Sequence, residues 1–495
     1  MLRFADRVIS PSLLTLGLLT LPVTITASPS SGIVPPAADT TLTVLVHAHA
    51  VFDERGPADL EELQQAAGQA GIDAILVVET LLADWTWAPP VLRWFGGGRL
   101  RMDSVVRSGS DRYFETVAAV DRSIPEVTLV AGVEIAPYYR WSGAPWSGSL
   151  TMWDWQRNLL VFGLDGPQDY LDLPVLGLRR RTVASWRDIP WLLLVLVAAF
   201  GFLYSLNRLR VVPTLLTLTF FMVLLGSGPP PPGPFSPYAR DVGLQPWQTL
   251  IDSVAVRGGV AMWSQVEARD DQRRLGGLVH IRTEPHPQVL TGTSGYRMFG
   301  AIYPSTSAAQ EPGREWDRAL LDFLAGRRST PVWGWGEAAL HYPSQLEGPG
   351  RKRVDEVLSV IRARGPDEAS ILAALASGRG YSVRAAVADG RLEMLGFQAA
   401  AEGERAGSGE WLSTGHPVRV TAGWRYRGAG SPIFTGRLVR DGVVVREWTG
   451  VGEGSLVWEE PAPGPVEAHF FRLEVRGRDH RLLTNPVFIR SGGMR

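Results

Sequence analysis

The sequence predicts an α/β protein with two additions, a membrane hairpin inside it and an all-β domain behind it. Three observations predict this. Apolar strand-like runs alternate with helical patterns from about residue 40 to 375. Two charge-free apolar runs interrupt that alternation near its middle. From about Gly378 the pattern changes to short alternating strands punctuated by Asp-Gly pairs. At 495 residues the chain is long enough for roughly three domains of about 150 residues each.

The elements follow in order. Arg3 and Arg7 precede the apolar stretch Leu13–Ile25, which ends in the small residues Ala27–Gly32, so residues 1–31 read as a secretory signal or an uncleaved signal-anchor. Thr41–Val46 reads as a short buried strand, Pro57–Ala70 as a helix with Asp59, Glu61 and Glu62 in its first turns, and Ala74–Val78 and Val127–Ala131 as further strands. Trp191–Leu206 and Val211–Gly226 flank a tip at Asn207–Arg210, and residues 188–227 are therefore expected to form a transmembrane helical hairpin. Trp186, Trp191 and Tyr204 suit an interfacial belt, and the Pro-rich linker 228–237 prevents further helix. The α/β part then spans 40–187 and 238–375, with strands expected to be parallel, in an open sheet or a closed barrel.

The last part, 378–495, is expected to be a β-sandwich. Ser382–Val387 and Arg391–Phe397 flank Asp389-Gly390, Leu438–Arg446 crosses Asp441-Gly442, and Val418–Tyr426 and Ala468–Val475 add strands. Orientation in the membrane rests on two opposed signals. Arg179, Arg180, Arg181 and Arg187 against Arg208 and Arg210 place the bulk inside, whereas the N-terminal signal places it outside. The signal is read first during synthesis, so a membrane-anchored protein with extracytoplasmic bulk domains, periplasmic or cell-surface in a bacterium, is expected, and the lipid bilayer is its expected partner.

Forty-nine basic and 50 acidic residues leave a formal charge of −1, so no nucleic-acid partner is expected. The absence of cysteine excludes disulfides, thiolate nucleophiles and Cys-ligated zinc, and any metal must rely on His and carboxylate ligands. His47 and His49 stand two apart where the first strand ends. A period-2 backbone points both imidazoles the same way, so they can ligate one cation. Trp85, Trp87, Trp153 and Trp155 suggest either a sugar- or lipid-facing shelf or packing at the membrane face, and the second reading is preferred.

Several stretches resemble the PHP (polymerase and histidinol phosphatase) family of metal-dependent phosphoesterases. Val46–Arg55 is similar to that family's opening His-x-His motif, Ala74–Thr80 to a strand ending in Thr-Asp-His, Ala131–Ile135 to a Gly-x-Glu strand end, and Gly334–His341 to a late Gly-x-x-Asp-x-His motif. Val256–Glu267 resembles the Gly-Gly run into a His-Pro motif, and Thr484–Ile489 the closing strand of accessory domains in exported members. The resemblance implies a distorted seven-stranded β/α barrel over residues 40–375, interrupted by the hairpin as in some membrane-associated members.

The same resemblance implies a metal site. His47, His49, Glu134 and His341 match its ligands, and Glu79 and Glu54 keep a carboxylate one methylene longer than the family's Asp. Thr80, Gln265 and Ala339 stand where the family has His, His and Asp, and bind a divalent cation weakly or not at all. Glu337 could reach across the strand end, but alternation favours the opposite face. His286-Pro287 spells the family's dipeptide without the preceding strand, so His286 and His280 read as loop or core residues. The expected cofactor is a divalent metal, Zn, Mn or Fe, as one ion, with none as the alternative. The implied function is a membrane-anchored hydrolase using metal-activated water on a small-molecule phosphoester or related substrate. The alternative is a catalytically inactive relative that serves as a binding or scaffold module at the membrane, and the sequence does not decide whether the chain is an enzyme.

Overall fold

The computed structural model describes residues 39–50, 56–89, 98–178, 235–239, 242–270, 274–275, 277–304, 307–343, 352–388, 390–465 and 467–492. Its first strands are β1 (Thr40–His49), β2 (Ala74–Thr80), β3 (Asp84–Trp87), β4 (Gly98–Arg101), β5 (Thr128–Ile135), β6 (Arg140–Ser142), β7 (Thr151–Trp153) and β8 (Leu159–Phe162). There follow β9 (Val260–Trp263), β10 (Arg274–Leu275), β11 (Val279–Arg282), β12 (Met298–Ile302), β13 (Trp333–Gly336), β14 (Leu340–His341), β15 (Val357–Ala363) and β16 (Gly380–Ala385). The helices that pack on them include α1 (Pro57–Gln69), α2 (Val105–Ser108), α3 (Ser110–Ser123), α4 (Pro167–Leu171), α5 (Gln245–Val256), α6 (Val289–Gly292), α7 (Glu315–Leu324) and α8 (Glu368–Ala376).

A 16-stranded mixed sheet organises Asp39–Arg495, a single compact unit. Its path runs β13-β12-β9-β8-β5-β2-β1-β15-β16, and β14 pairs β1 in parallel, so the path returns from β13 to β1. β1, β2 and β5 are parallel because helices α1 and α3 carry the crossovers between them. β8 is antiparallel to both β5 and β9, so the sheet is not the uniformly parallel one that strand-helix alternation suggested. The reason is local: the β5-to-β8 connection is made by β6 and β7 and a 3-10 turn, without a crossover helix.

Beyond β16 the sheet continues through β25 (His480–Thr484), β24 (Ala468–Arg476), β21 (Ile433–Arg440) and β22 (Val443–Val451), with β26 (Val487–Ser491) and β19 (Trp411–Thr414) branching from β24. A four-stranded sheet of β18 (Glu404–Gly407), β17 (Gly390–Ala401), β20 (Val418–Gly428) and β23 (Glu453–Glu460) accompanies it. The hairpin signal at Asp441-Gly442 is realised between β21 and β22, with φ of 50° and 85° as a type I′ turn needs. The expected fold class, a barrel broken by a helical hairpin and followed by a separate sandwich, is corrected to this large sheet. The C-terminal strands do not stand apart: antiparallel pairing of β15 with β1 and of β16 with β25 carries the sheet straight into them.

The leader at 1–31 and the hairpin at 188–227 lie outside the described residues, as does most of the Pro-rich linker. Among the described residues no helix is long and apolar enough to cross a membrane. The expected membrane anchoring, and the location read from it, are corrected to this extent: the described residues supply no helix that could anchor the chain. Of the four tryptophans expected at a membrane face, Trp85, Trp87 and Trp155 instead belong to a small separate core, while Trp153 lies beneath the guanidinium groups of Arg140 and Arg282. Trp85, Tyr139, Trp141, Met152 and Ile281 bury against one another where β3 and the β6-β7-β11 sheet meet, and Trp87 and Trp155 pack on them.

Candidate metal centre

His47 occupies a β-bulge. The β1-β2 register slips between Val46 and Ala48, and His47 itself has φ of 71°. The extra residue bends the strand, so the two imidazoles converge through the bulge and not through simple alternation. Their Nε2 atoms stand 2.9 Å apart, and both rings are buried. Glu134, near the end of β5, places Oε1 3.8 Å from His47 Nε2 and Oε2 3.8 Å from His49 Nε2. Ligand atoms of His47, His49 and Glu134 all lie within 4.8 Å of one another.

Each ring is held from behind by a buried carboxylate. His47 Nδ1 lies 2.6 Å from Glu337 Oε1, and His49 Nδ1 lies 3.3 Å from Glu79 Oε2. Glu79 also accepts from the Ala50 amide, at 3.1 Å. Glu337 further accepts from the Ser264 hydroxyl at 2.5 Å and the Gln265 amide at 3.0 Å. A carboxylate that is ionised only accepts; with Nδ1 donating to it in both rings, both Nε2 atoms would present lone pairs to the same point, as a shared cation requires. Asn158 donates to Glu134 Oε1 at 2.6 Å and orients the third carboxylate.

Sequence reasoning placed Glu337 on the wrong face. β13 ends at Gly336, and the backbone then crosses from Ile302 to Val46, to whose carbonyls the Glu337 and Ala338 amides donate. Residues two apart share a strand face, so alternation itself groups Glu337 with Ala339 and His341, and the opposite face expected for it is a misassignment. Gly300 leaves the space that the side chain fills, since a Cβ there would fall 1.8 Å from Glu337 Oε2. The clue in the sequence was Gly300 itself, which alone could not reveal its partner. Lys352, the sole lysine, donates to the carbonyls of Ala338 and Ala339, and burial lowers its pKa.

The cluster opens into a cavity of about 230 Å³. Thr80, Gln265 and Ala339 line it, and His341 lines it with its ring stacked on His49 at 4.3 Å. Gln265 and Ala339 also have positive φ, at 38° and 44°. Glu54 lies outside the described residues. His286 does not line the cavity: it is buried against Trp263, its Nδ1 meets the Glu284 carbonyl at 3.0 Å, and burial pushes its pKa down to about 3. Asp317 on α7 does not line the cavity either: it is fully buried and bound to Arg472.

No family model matches the chain, and no curated protein matches it. Among solved structures it is similar to a two-domain protein of Bacteroides vulgatus described as containing a predicted PHP-like metal-dependent phosphoesterase, at 12% identity and a TM-score of 0.34, covering 91% of this chain and 95% of that one. An engineered protein matches at 14% identity and a TM-score of 0.14, over 41% of this chain and 43% of that one.

Proposed function

We propose that this chain is a metal-dependent hydrolase of PHP type, acting on a phosphoester or related bond, with His47, His49 and Glu134 holding one divalent cation. The observation that carries the reading is the pair of Nε2 atoms facing each other at 2.9 Å with carboxylates behind both rings. Two lone pairs at that distance repel unless a cation or a proton lies between them. Imidazole nitrogens sharing one divalent cation at about 2.0–2.1 Å would stand about 3.0–3.4 Å apart, so the donor set fits such an ion with little movement. When bound, the ion would lower the pKa of a water and polarise the scissile group.

The chain's own residues do the positioning. Glu337 and Glu79 fix the tautomers of His47 and His49, and Asn158 holds the Glu134 carboxylate. Ser264 and the Gln265 amide in turn hold Glu337. A second reading, a binding module without turnover, is favoured by Thr80 and Ala339, which offer a hydroxyl and a methyl where a second cation would need ligands. Turnover of bis(4-nitrophenyl) phosphate by the Mn²⁺-loaded chain, abolished in His47→Ala, is the result expected of the hydrolase. Stoichiometric metal binding with no turnover would establish the binding module instead.

A further inference from the structure

The wall of the cavity away from the imidazoles is aromatic and held rigidly. Trp155 lines it, half-buried, with Trp85 packed against its ring at 4.4 Å and 78°. The backbone on either side is fixed. Asp154, at φ 65°, bonds Arg157 at 3.0 Å and Arg140 at 3.4 Å through its carboxylate, and its amide donates to the Arg282 carbonyl. On the other side the Gln156 amide donates to the Thr283 hydroxyl at 3.2 Å. Met102, 43% exposed, adds a polarizable side chain to the same lining.

The charge of the cavity is the second observation. Among the described residues neither Arg nor Lys lines it, while Glu134 and Asp103 do, and Glu79 and Glu337 stand behind the imidazoles. Four carboxylates outweigh a single divalent cation together with Lys352, which acts on Glu337 from behind. A dianionic phosphomonoester would meet no guanidinium or ammonium among the described lining residues, and would add charge to a field already negative.

We infer that the site selects substrates carrying a planar or sugar ring and at most one negative charge, with the ring stacked on Trp155. This rests on the reading of the cavity as a metal-dependent hydrolytic site, and deepens it by naming the substrate class. Preordering Trp155 in its bound position reduces the cost of fixing the ring.

Calorimetric binding to the full chain, with one equivalent of Mn²⁺, tests it with three probes: methyl phenyl phosphate, dimethyl phosphate and phenyl phosphate. Methyl phenyl phosphate is expected to bind about 5- to 100-fold tighter than dimethyl phosphate, which lacks the ring. It is also expected to bind about tenfold tighter than phenyl phosphate, which carries the second charge. Trp155→Leu, which keeps apolar bulk against Trp85, should abolish the ring preference and leave dimethyl phosphate unchanged, and Trp155→Phe should restore most of it. Equal or tighter binding of phenyl phosphate, an unaltered ring preference in Trp155→Leu, or binding of none of the three overturns the inference. Binding in the expected order without turnover of any ester would count against hydrolysis and leave the ring preference standing.

Discussion

Arg472 and Asp317 are both fully buried and their charges cancel one for one, whereas around His47 and His49 three carboxylates gather with Lys352, acting on Glu337, as the one fixed cation found near them among the described residues. The first pair is closed. Arg472 makes two bonds to Asp317, at 2.7 and 2.8 Å, and a third to the Gln310 carbonyl at 2.9 Å, with Trp316 stacked on the guanidinium. It ties α7 to β24, and its charges are matched even though Arg472 Nη1 is buried without a hydrogen-bond partner among the described residues. The second cluster is satisfied only at its periphery, where Ser264, Asn158 and backbone amides hold the carboxylates, and its centre is where two imidazole lone pairs meet. Burial of charge therefore does not by itself mark a site. An excess of one sign, with its donors turned inward, does.

The largest effect that separates the two clusters falls on stability. Asp317→Ala should cost about 3–5 kcal/mol in urea unfolding, because it leaves Arg472 charged and alone in the core, while metal affinity stays unchanged. Pairing it with Arg472→Met should recover most of that loss. Glu134→Ala should show the opposite signature. The metal-free chain should be no less stable, since one member of a like-charged group is gone, but affinity for a divalent ion should fall on the order of 100-fold or more. If both substitutions destabilised equally and neither altered metal binding, the contrast would be lost.

A smaller effect is expected from Glu337→Gln. It should lower metal affinity about 10- to 100-fold without touching the ion directly, because it frees the His47 tautomer, and equilibrium dialysis would show it. Smaller still is a pH dependence outside both clusters. His286 has a pKa of about 3 when folded against 6.5 as its ordinary value, so below about pH 6.5 the unfolded chain binds a proton that the folded chain refuses. Its contribution is complete above pH 6.5 and is lost as pH falls toward about 3, by about 1.4 kcal/mol per pH unit in the metal-free protein. Unfolding midpoints measured across that range should flatten in His286→Gln.

Much of the candidate site could be read from the sequence because it sits on regular strands. β1, β2 and β5 were each legible as apolar runs, and His47, His49, Glu79 and Glu134 are at or near their ends. Most of what escaped lies where regularity breaks. His47 is a bulge, and Gln265 and Ala339 have positive φ. At such places period-2 reasoning assigns a side chain to the wrong face or to the right face for the wrong reason. The opposite face expected for Glu337 is instead a misassignment within period 2, which groups it with Ala339 and His341. The fold was legible in its first strands and less so in its joining. That β15 pairs β1 and carries the sheet onward is a long-range choice, and no local pattern around Val357–Ala363 announces it. The tryptophans misled because an apolar surface reads the same whether it faces lipid or a second small core.

Metal stoichiometry of the purified full chain tests the central claim most directly. After removal of bound ions and dialysis against Mn²⁺ or Zn²⁺, elemental analysis should find one divalent ion per chain. His47→Ala should lose it, with affinity lower by about 100-fold or more, and His286→Ala should keep it. A wild-type chain that binds no ion, or that loses it equally in His286→Ala and His47→Ala, would contradict the account and leave a shared proton as the occupant between the two imidazoles.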